Sequence, residues 1–229
     1  MKGIPCIRHL SIRPPLVTQR MPRFKGIDFL MEDGNGIQTQ VVSSQRALKS
    51  SLEDMLEAMH GEEDMIVGLE MEFSAKDIEG KCFVQQRIEV LTLCTGSKCV
   101  LIRLDSDLDE GWFEKLCMFL ANKDIVFVGV HTKQDLVKLE NEYGLRVKNF
   151  VELSELAAGV MMKPCVAGYG VRKLATELEV LELKPRPSKV CWSDWNAGKS
   201  QLSNAPIKCS TMDAYASYKI GKKLLEDEE

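Results

Sequence analysis

Hydrophobic and polar positions in the first half of the chain predict a β-rich region interrupted by one helix. The stretch GIDFLMEDGNGIQTQVV (26–42) places apolar flanks around Asp33-Gly34-Asn35-Gly36, a pattern typical of a β-hairpin. In SSQRALKSSLEDMLEAMH (43–60), apolar residues recur at helical spacing behind a pair of serines that can cap the helix. Residues 65–104 then predict three antiparallel strands, of which the first two are joined by a polar turn at 75–81.

The second half alternates helices with short strands. The wholly apolar stretch DIVFVGVH (124–131) predicts a strand that is covered on both faces. The next helix is expected to begin at Thr132 and to stop at Gly144. A short strand followed by a helix is predicted within 147–161, and further helices are predicted within 110–122, 168–180 and 210–225. This order predicts an α/β fold, a mixed five-stranded sheet flanked by helices. We expect the strand at 65–73 to be central and the strand at 125–130 to run parallel to it.

Composition and charge set the domain organisation and the compartment. A chain of 229 residues can bury one large core, and we expect a single domain over residues 26–229 after a basic, flexible tail at 1–25 that contains no acid. The eight cysteines include no C-x-x-C pair, which favours a reducing compartment, cytoplasmic or nuclear. An arginine-rich, acid-poor start is also typical of organelle transit peptides, so organelle targeting stays an alternative. The net charge of −4 is unfavourable for bulk attraction to nucleic acid, although it leaves room for a local basic groove.

The stretch MIVGLEMEF (65–73) carries two acids in a strand that otherwise reads as buried. Successive side chains of a strand point to opposite faces, so Glu70 and Glu72 share one face while Met71 and Phe73 take the other. An unpaired charge in a protein interior is unfavourable by several kcal/mol. A metal ion, an arginine partner or solvent would each compensate the two glutamates.

Two further acids lie where they could join this pair. Asp135 follows the apolar strand at 125–130, and ligands of α/β sheets gather at the carboxyl ends of strands. Asp213 lies in the C-terminal helix among small and apolar residues that suggest packing against the sheet. Two Mg²⁺ or Mn²⁺ ions about 3.5–4 Å apart would allow four such carboxylates to ionise together and would support phosphodiester hydrolysis. The simpler alternative is that these acids are solvated.

Three segments resemble motifs of the DEDD superfamily of 3′–5′ exonucleases, which have a ribonuclease H-like fold, with a particular similarity to plant Werner-type exonuclease-domain proteins. IVGLEMEF resembles the first motif, whose usual form is D-x-E, and FVGVHTKQDLVKLENEYGL resembles the second. KPRPSKVCWSDWNAGKSQLSNAPIKCSTMDAYASYKIGKKL resembles the third motif region, and LSELAA resembles an intervening helix. The resemblance implies that Glu70, Glu72, Asp135 and Asp213 are the catalytic metal ligands for Mg²⁺ or Mn²⁺.

The chain departs from the family pattern at two catalytic positions. Glu70 stands where the family has aspartate, which adds a methylene at a site where Mg²⁺ distances of about 2.1 Å are strict. The tyrosine that orients the attacking water in the family is replaced by Cys209, and the histidine of the variant form is replaced by Lys208. His131 could substitute in part as a base and Lys208 could contact a phosphate, although both are as easily solvated side chains.

Three functions follow from these residues. The first is a metal-dependent 3′–5′ exonuclease that acts on single-stranded RNA or DNA 3′ ends and is weakened by its altered residues. The second is a catalytically degenerate pseudo-exonuclease that serves as a nucleic-acid-binding or oligomeric scaffold module. The third is an unrelated use of the carboxylates as a structural metal site. Plant relatives of this type include ring-shaped homo-oligomers, so the resemblance also implies a homo-oligomer, for which the GIQTQVV strand (36–42) is a candidate contact if it lies at a sheet edge.

Overall fold

A computed structural model of the protein describes residues 26–42, 44–62, 64–77, 84–104, 110–187, 195 and 203–226. The predicted basic tail at 1–25 and most of the W-S-x-W segment lie outside the described residues. The strands are β1 (Ile27–Leu30), β2 (Gly36–Val42), β3 (Ile66–Asp77), β4 (Val84–Cys94), β5 (Lys98–Arg103), β6 (Val126–Gly129) and β7 (Phe150–Glu152). The helices are α1 (Gln45–Glu62), α2 (Glu110–Leu120), α3 (Lys133–Tyr143), α4 (Leu153–Val160), α5 (Val171–Glu177) and α6 (Asn204–Glu226), with a 3₁₀ turn at Pro164–Gly168.

Within these residues, seven strands form one mixed sheet in the order β1-β2-β5-β4-β3-β6-β7. The strand at 65–73 is interior, as predicted, since β3 pairs antiparallel with β4 and parallel with β6. The predicted count of five strands is too low. The hairpin joins the sheet because β2 pairs parallel with β5, and β7 extends the sheet beyond β6.

Two local predictions about the strands need correction. The GIQTQVV strand is not at an edge, because β2 lies between β1 and β5. The polar turn expected at 75–81 begins later, because β3 stays paired with β4 through Asp77, and 78–83 lie outside the described residues. The register between β3 and β4 shifts between Glu72 and Phe73, which marks a β-bulge beside the predicted site.

The two faces of the sheet carry separate hydrophobic cores, so helices flank both sides as predicted. Val67, Leu69 and Met71 of β3 face the core that α1, α2 and α3 cover. The opposite face is covered by α4, α5 and α6. None of the described helices is long and apolar enough to cross a membrane.

Helix α6 packs unusually close to the central strand because Gly68 lacks a side chain. A Cβ atom built on Gly68 would lie 2.0 Å from the carbonyl oxygen of Ala214 and 2.6 Å from the backbone nitrogen of Tyr218. Gly68 shares its strand face with Glu70 and Glu72, two and four residues farther along. The contact therefore holds α6 against the strand face that carries both glutamates.

We expect Gly68→Ala to lower the free energy of unfolding by about 3 kcal/mol, because the added methyl group would force α6 away from β3. Urea denaturation followed by circular dichroism measures this change. Gly61→Ala is the matched control, because a Cβ there meets nothing within 4 Å. Equal stability of the Gly68 and Gly61 variants would contradict the close contact.

Candidate functional site

Glu70, Glu72 and Asp213 meet where β3 faces α6. Glu72 and Asp213 are buried, with 4% and 3% of their surface exposed, and Glu70 is partly buried. The pKa of the Glu70 carboxyl is raised well above its usual value of 4.5, first by burial and then by the charges of Asp213 and Glu72. The structure therefore brings these three predicted site residues into one electrostatic cluster.

Asp135 borders the cluster from the first turn of α3. It is half-buried, and burial raises the pKa of its carboxyl, an effect that Lys138 opposes. Its charge contributes to the raised pKa of Glu70, although less than the charges of Asp213 and Glu72 do. The N-terminal position in α3 also suits an acid, since the helix dipole favours negative charge there.

A carboxylate outside the predicted set holds the turn that leads to Asp135. The Oε1 atom of Glu152 accepts a hydrogen bond of 2.8 Å from the backbone nitrogen of His131, and Oε2 accepts one of 2.9 Å from that of Thr132. His131 has a φ of 60°, a left-handed conformation that is unfavourable for a residue with a side chain. Thr132 is the N-cap residue as predicted, but its own side chain makes no cap hydrogen bond. Glu152 therefore fixes the two residues that precede α3, but it does not replace the cap hydrogen bond.

Two arginines form ion pairs with carboxylates of the cluster. The Nε atom of Arg172 lies 2.7 Å from Oδ1 of Asp213, and an Nη atom of Arg186 lies 3.8 Å from Oδ2 of the same residue. Arg186 also donates a hydrogen bond to Oε1 of Glu72. Burial raises the pKa of both carboxyls, and the guanidinium groups oppose that rise. Arginine therefore compensates Asp213 and one of the two strand glutamates, Glu72.

Neighbouring residues fix the positions of both arginines. Arg172 lies in the first turn of α5 and donates a hydrogen bond to the carbonyl oxygen of Lys184. Lys184 precedes Arg186 by two residues, in a segment that is anchored by the buried side chains of Leu181 and Leu183. Arg186 lies between Pro185 and Pro187, which restrict its backbone to extended conformations. The guanidinium groups are therefore held over the carboxylates by the fold.

The donor atoms suit a hard divalent cation, but the arrangement does not. Mg²⁺ and Mn²⁺ prefer carboxylate oxygens, and the cluster supplies them. Positively charged N–H groups bind the oxygens of Glu72 and Asp213 that a metal would need. Among the described residues, no group of three or more histidine, cysteine, aspartate or glutamate side chains is placed to hold a metal ion. The metal-ligand roles of Glu70, Glu72, Asp135 and Asp213 therefore stay a prediction.

The predicted auxiliary residues lie at different depths. The side chains of Lys208 and His131 are exposed, and Cys209 is half-buried. Ser210, which was not predicted, is fully buried; its side chain contributes a hydrogen bond to Glu72, and its Oγ atom lies 2.7 Å from Oγ1 of Thr92. Thr92 lies opposite Glu70 in the β3–β4 pairing, so this contact also fixes α6 against the sheet.

The raised pKa of Glu70 predicts a pH-dependent effect of Glu70→Gln. The folded state holds a proton that the unfolded chain releases above a pH of about 4.5, so the wild-type glutamate reduces stability as the pH rises through this range. Glutamine does not titrate. We expect the variant to have a free energy of unfolding higher by about 1 kcal/mol or more at pH 7, and to show little difference at pH 4.

Urea denaturation at both pH values measures this effect, with Glu53→Gln as the control because Glu53 is 64% exposed. An equal change at pH 4 and pH 7 would assign the effect of the Glu70 variant to packing and not to ionisation.

Comparison with known proteins places the chain in a family. Residues 40–228 match the family model described as 3′–5′ exonuclease. The chain is 26% identical over 160 residues to the RISC-interacting clearing 3′–5′ exoribonuclease 1 of Arabidopsis thaliana, covering 69% of this chain and 78% of that protein. It is 29% identical over 162 residues to the bifunctional 3′–5′ exonuclease/ATP-dependent helicase WRN of Mus musculus, covering 69% of this chain but 11% of that protein.

The fold is similar to that of Escherichia coli RNase D, with a TM-score of 0.62 at 18% identity over 83% of this chain and 45% of that one. The chain therefore spans less than half of the RNase D chain and about a tenth of the mouse helicase. The family model, by contrast, matches more than three quarters of the present chain. The chain belongs to the 3′–5′ exonuclease domain family of the DEDD, ribonuclease H-like superfamily.

Proposed function

We propose that this chain is a 3′–5′ exonuclease-like protein that hydrolyses phosphodiester bonds at the 3′ ends of single-stranded RNA or DNA, with an activity that its own site strongly weakens. The observation that carries this proposal is the meeting of Glu70, Glu72 and Asp213 under two arginines. By their resemblance to the family's motifs, these acids are proposed to be the metal ligands. The arginines bind carboxylate oxygens for which a divalent metal would compete.

The substrate class rests on the family and its members. The Arabidopsis relative is named as an exoribonuclease, and E. coli RNase D is described as an exoribonuclease involved in structured RNA processing. Members of this superfamily generally use divalent metals. For this chain we propose Mg²⁺ or Mn²⁺, with Mn²⁺ the better cofactor because it tolerates a less regular ligand set than Mg²⁺, which requires a nearly ideal octahedron. RNA and DNA are both proposed as substrates.

Two residues of the site, Glu70 and Cys209, favour a low rate of phosphodiester hydrolysis. Glu70 is favoured in its protonated form by burial and by its acidic neighbours, and a protonated carboxyl is a poor ligand and a poor base. Cys209 lacks the reach of the phenol that stands at its position in the family. Losing a general base or a water-orienting group typically lowers the rate by about 10²–10⁴-fold.

The arginine pairs also favour a second function, a pseudo-exonuclease that binds nucleic acid or forms a homo-oligomeric scaffold. Arg172 and Arg186 compensate Asp213 and Glu72 through ion pairs that need no bound metal. Binding of a single-stranded oligonucleotide without any cleavage, in the presence of either metal, would distinguish this function from a weakened enzyme.

We expect the wild-type protein to shorten a single-stranded oligonucleotide from its 3′ end slowly, and faster with Mn²⁺ than with Mg²⁺. Glu70→Asp together with Cys209→Tyr should raise this rate by about 10²-fold or more, because the two changes restore the family's residues. Gel analysis of end-labelled RNA and DNA with each metal measures the products. Adding Asp213→Ala to the double variant should abolish cleavage.

Lys49→Gln is the control, because Lys49 is exposed on α1, which covers the opposite face of the sheet from α6. A double variant that stays inactive on RNA and DNA with both metals would contradict the weakened-enzyme function and favour the scaffold.

A further inference from the structure

Two arginines place positive charge beside the acids of β3 and α6. Arg186 bridges acids from two elements, since it contacts Glu72 of β3 and Asp213 of α6. Arg172 adds a second guanidinium to Asp213 from α5. Bridging carboxylates of different elements is what a bound divalent ion does in a metal site. Two fixed positive charges therefore fill the electrostatic role that divalent ions have in the family.

We propose that Arg172 and Arg186 are built-in counter-ions that compete with divalent metal for the carboxylate cluster, so that the cluster binds Mn²⁺ or Mg²⁺ weakly while both guanidinium groups are present. This inference deepens the proposed function and rests on it, because it names the cause of the weakened hydrolysis. It concerns binding at the cleft, which is measured separately from cleavage.

Competition between arginine and metal follows from geometry. A metal about 2.1 Å from an oxygen of Asp213 would repel the guanidinium group that binds this carboxylate at 2.7 Å, so each cation weakens the binding of the other. Arg186 imposes the same restriction on Glu72. Glu70 and Asp135 alone leave fewer carboxylates than the four that the family uses.

Moving either arginine side chain away from the carboxylates is energetically unfavourable. Their side chains are 15% and 20% exposed, so most of each lies within the protein. Arg172 is tied to the carbonyl oxygen of Lys184, and Arg186 projects from a Pro-Arg-Pro segment. Arginine stays charged at every physiological pH, so no change of pH releases the pairs by neutralising it. The full-length chain should therefore keep the arginines in place in solution.

Isothermal titration of the full chain with Mn²⁺, together with thermal unfolding with and without Mn²⁺, tests the inference. We compare the wild type with Arg172→Met/Arg186→Met, which keeps much of the side-chain volume and removes the charge. We expect the variant to bind Mn²⁺ about 100-fold more tightly than the wild type, corresponding to the loss of one strongly competing buried ion pair. At a Mn²⁺ concentration that saturates the variant, its Tm should rise by about 5 °C or more, while the wild-type Tm should rise by much less.

Two further variants separate charge from side-chain volume and from general effects. Arg172→Lys/Arg186→Lys keeps both positive charges, so it should bind Mn²⁺ as poorly as the wild type. Arg146→Met removes an arginine whose contact with Glu140 is exposed, and it should change neither the affinity for Mn²⁺ nor the Tm.

The inference is overturned if the wild type binds Mn²⁺ as tightly as the methionine variant, or if a folded methionine variant gains no affinity. Should the double variant fail to fold, Arg186→Met alone carries the test, because it releases Glu72 while Arg172 still compensates Asp213. A gain of Mn²⁺ binding without any nuclease activity would support the inference and count against the proposed function.

Discussion

The close approach of α6 to β3 is the constraint on which the rest of the site depends. A helix backbone can lie this near a central strand only where the strand has no side chain, and Gly68 provides that position. Once α6 lies there, Asp213 faces the same side of β3 as Glu70 and Glu72. Buried acids from two elements then meet in a low-dielectric environment, where positive charge must accompany them. The arginine pairs are therefore a consequence of the packing as much as of the chemistry.

Much of the fold was predictable because its signals are local. The turn residues around Gly34 and the helical spacing of Leu48 and Leu52 each determine structure within a few positions, and all of these elements are observed. The strand count failed for a different reason. Joining β2 to β5 requires parallel pairing across the whole of α1, β3 and β4, and no local pattern encodes such a contact.

The candidate site also contains residues that the sequence predicted and residues that it did not. The positions of the acids followed from motifs that are short in sequence, whereas the partner of Glu72 lies 114 residues away and has no pattern of its own. Two signals for Arg186 were present in the sequence: it lies between two prolines, and it falls within the segment that resembles the third motif. Ser210 falls within the same segment but had no other signal. Glu152 had none, because a single acid at the start of a helix is most often solvated.

The short strands at the two edges of the sheet bear on how copies of this chain could associate. Among the residues that the structure describes, the edge strands are β1, with four residues, and β7, with three. Each offers few unpaired backbone groups, which is one of the ways in which natural sheets resist adding a strand from another molecule. A homo-oligomer built on this domain would thus depend on side-chain contacts between helical or loop surfaces, and a continuous sheet running through several subunits would be a poor solution.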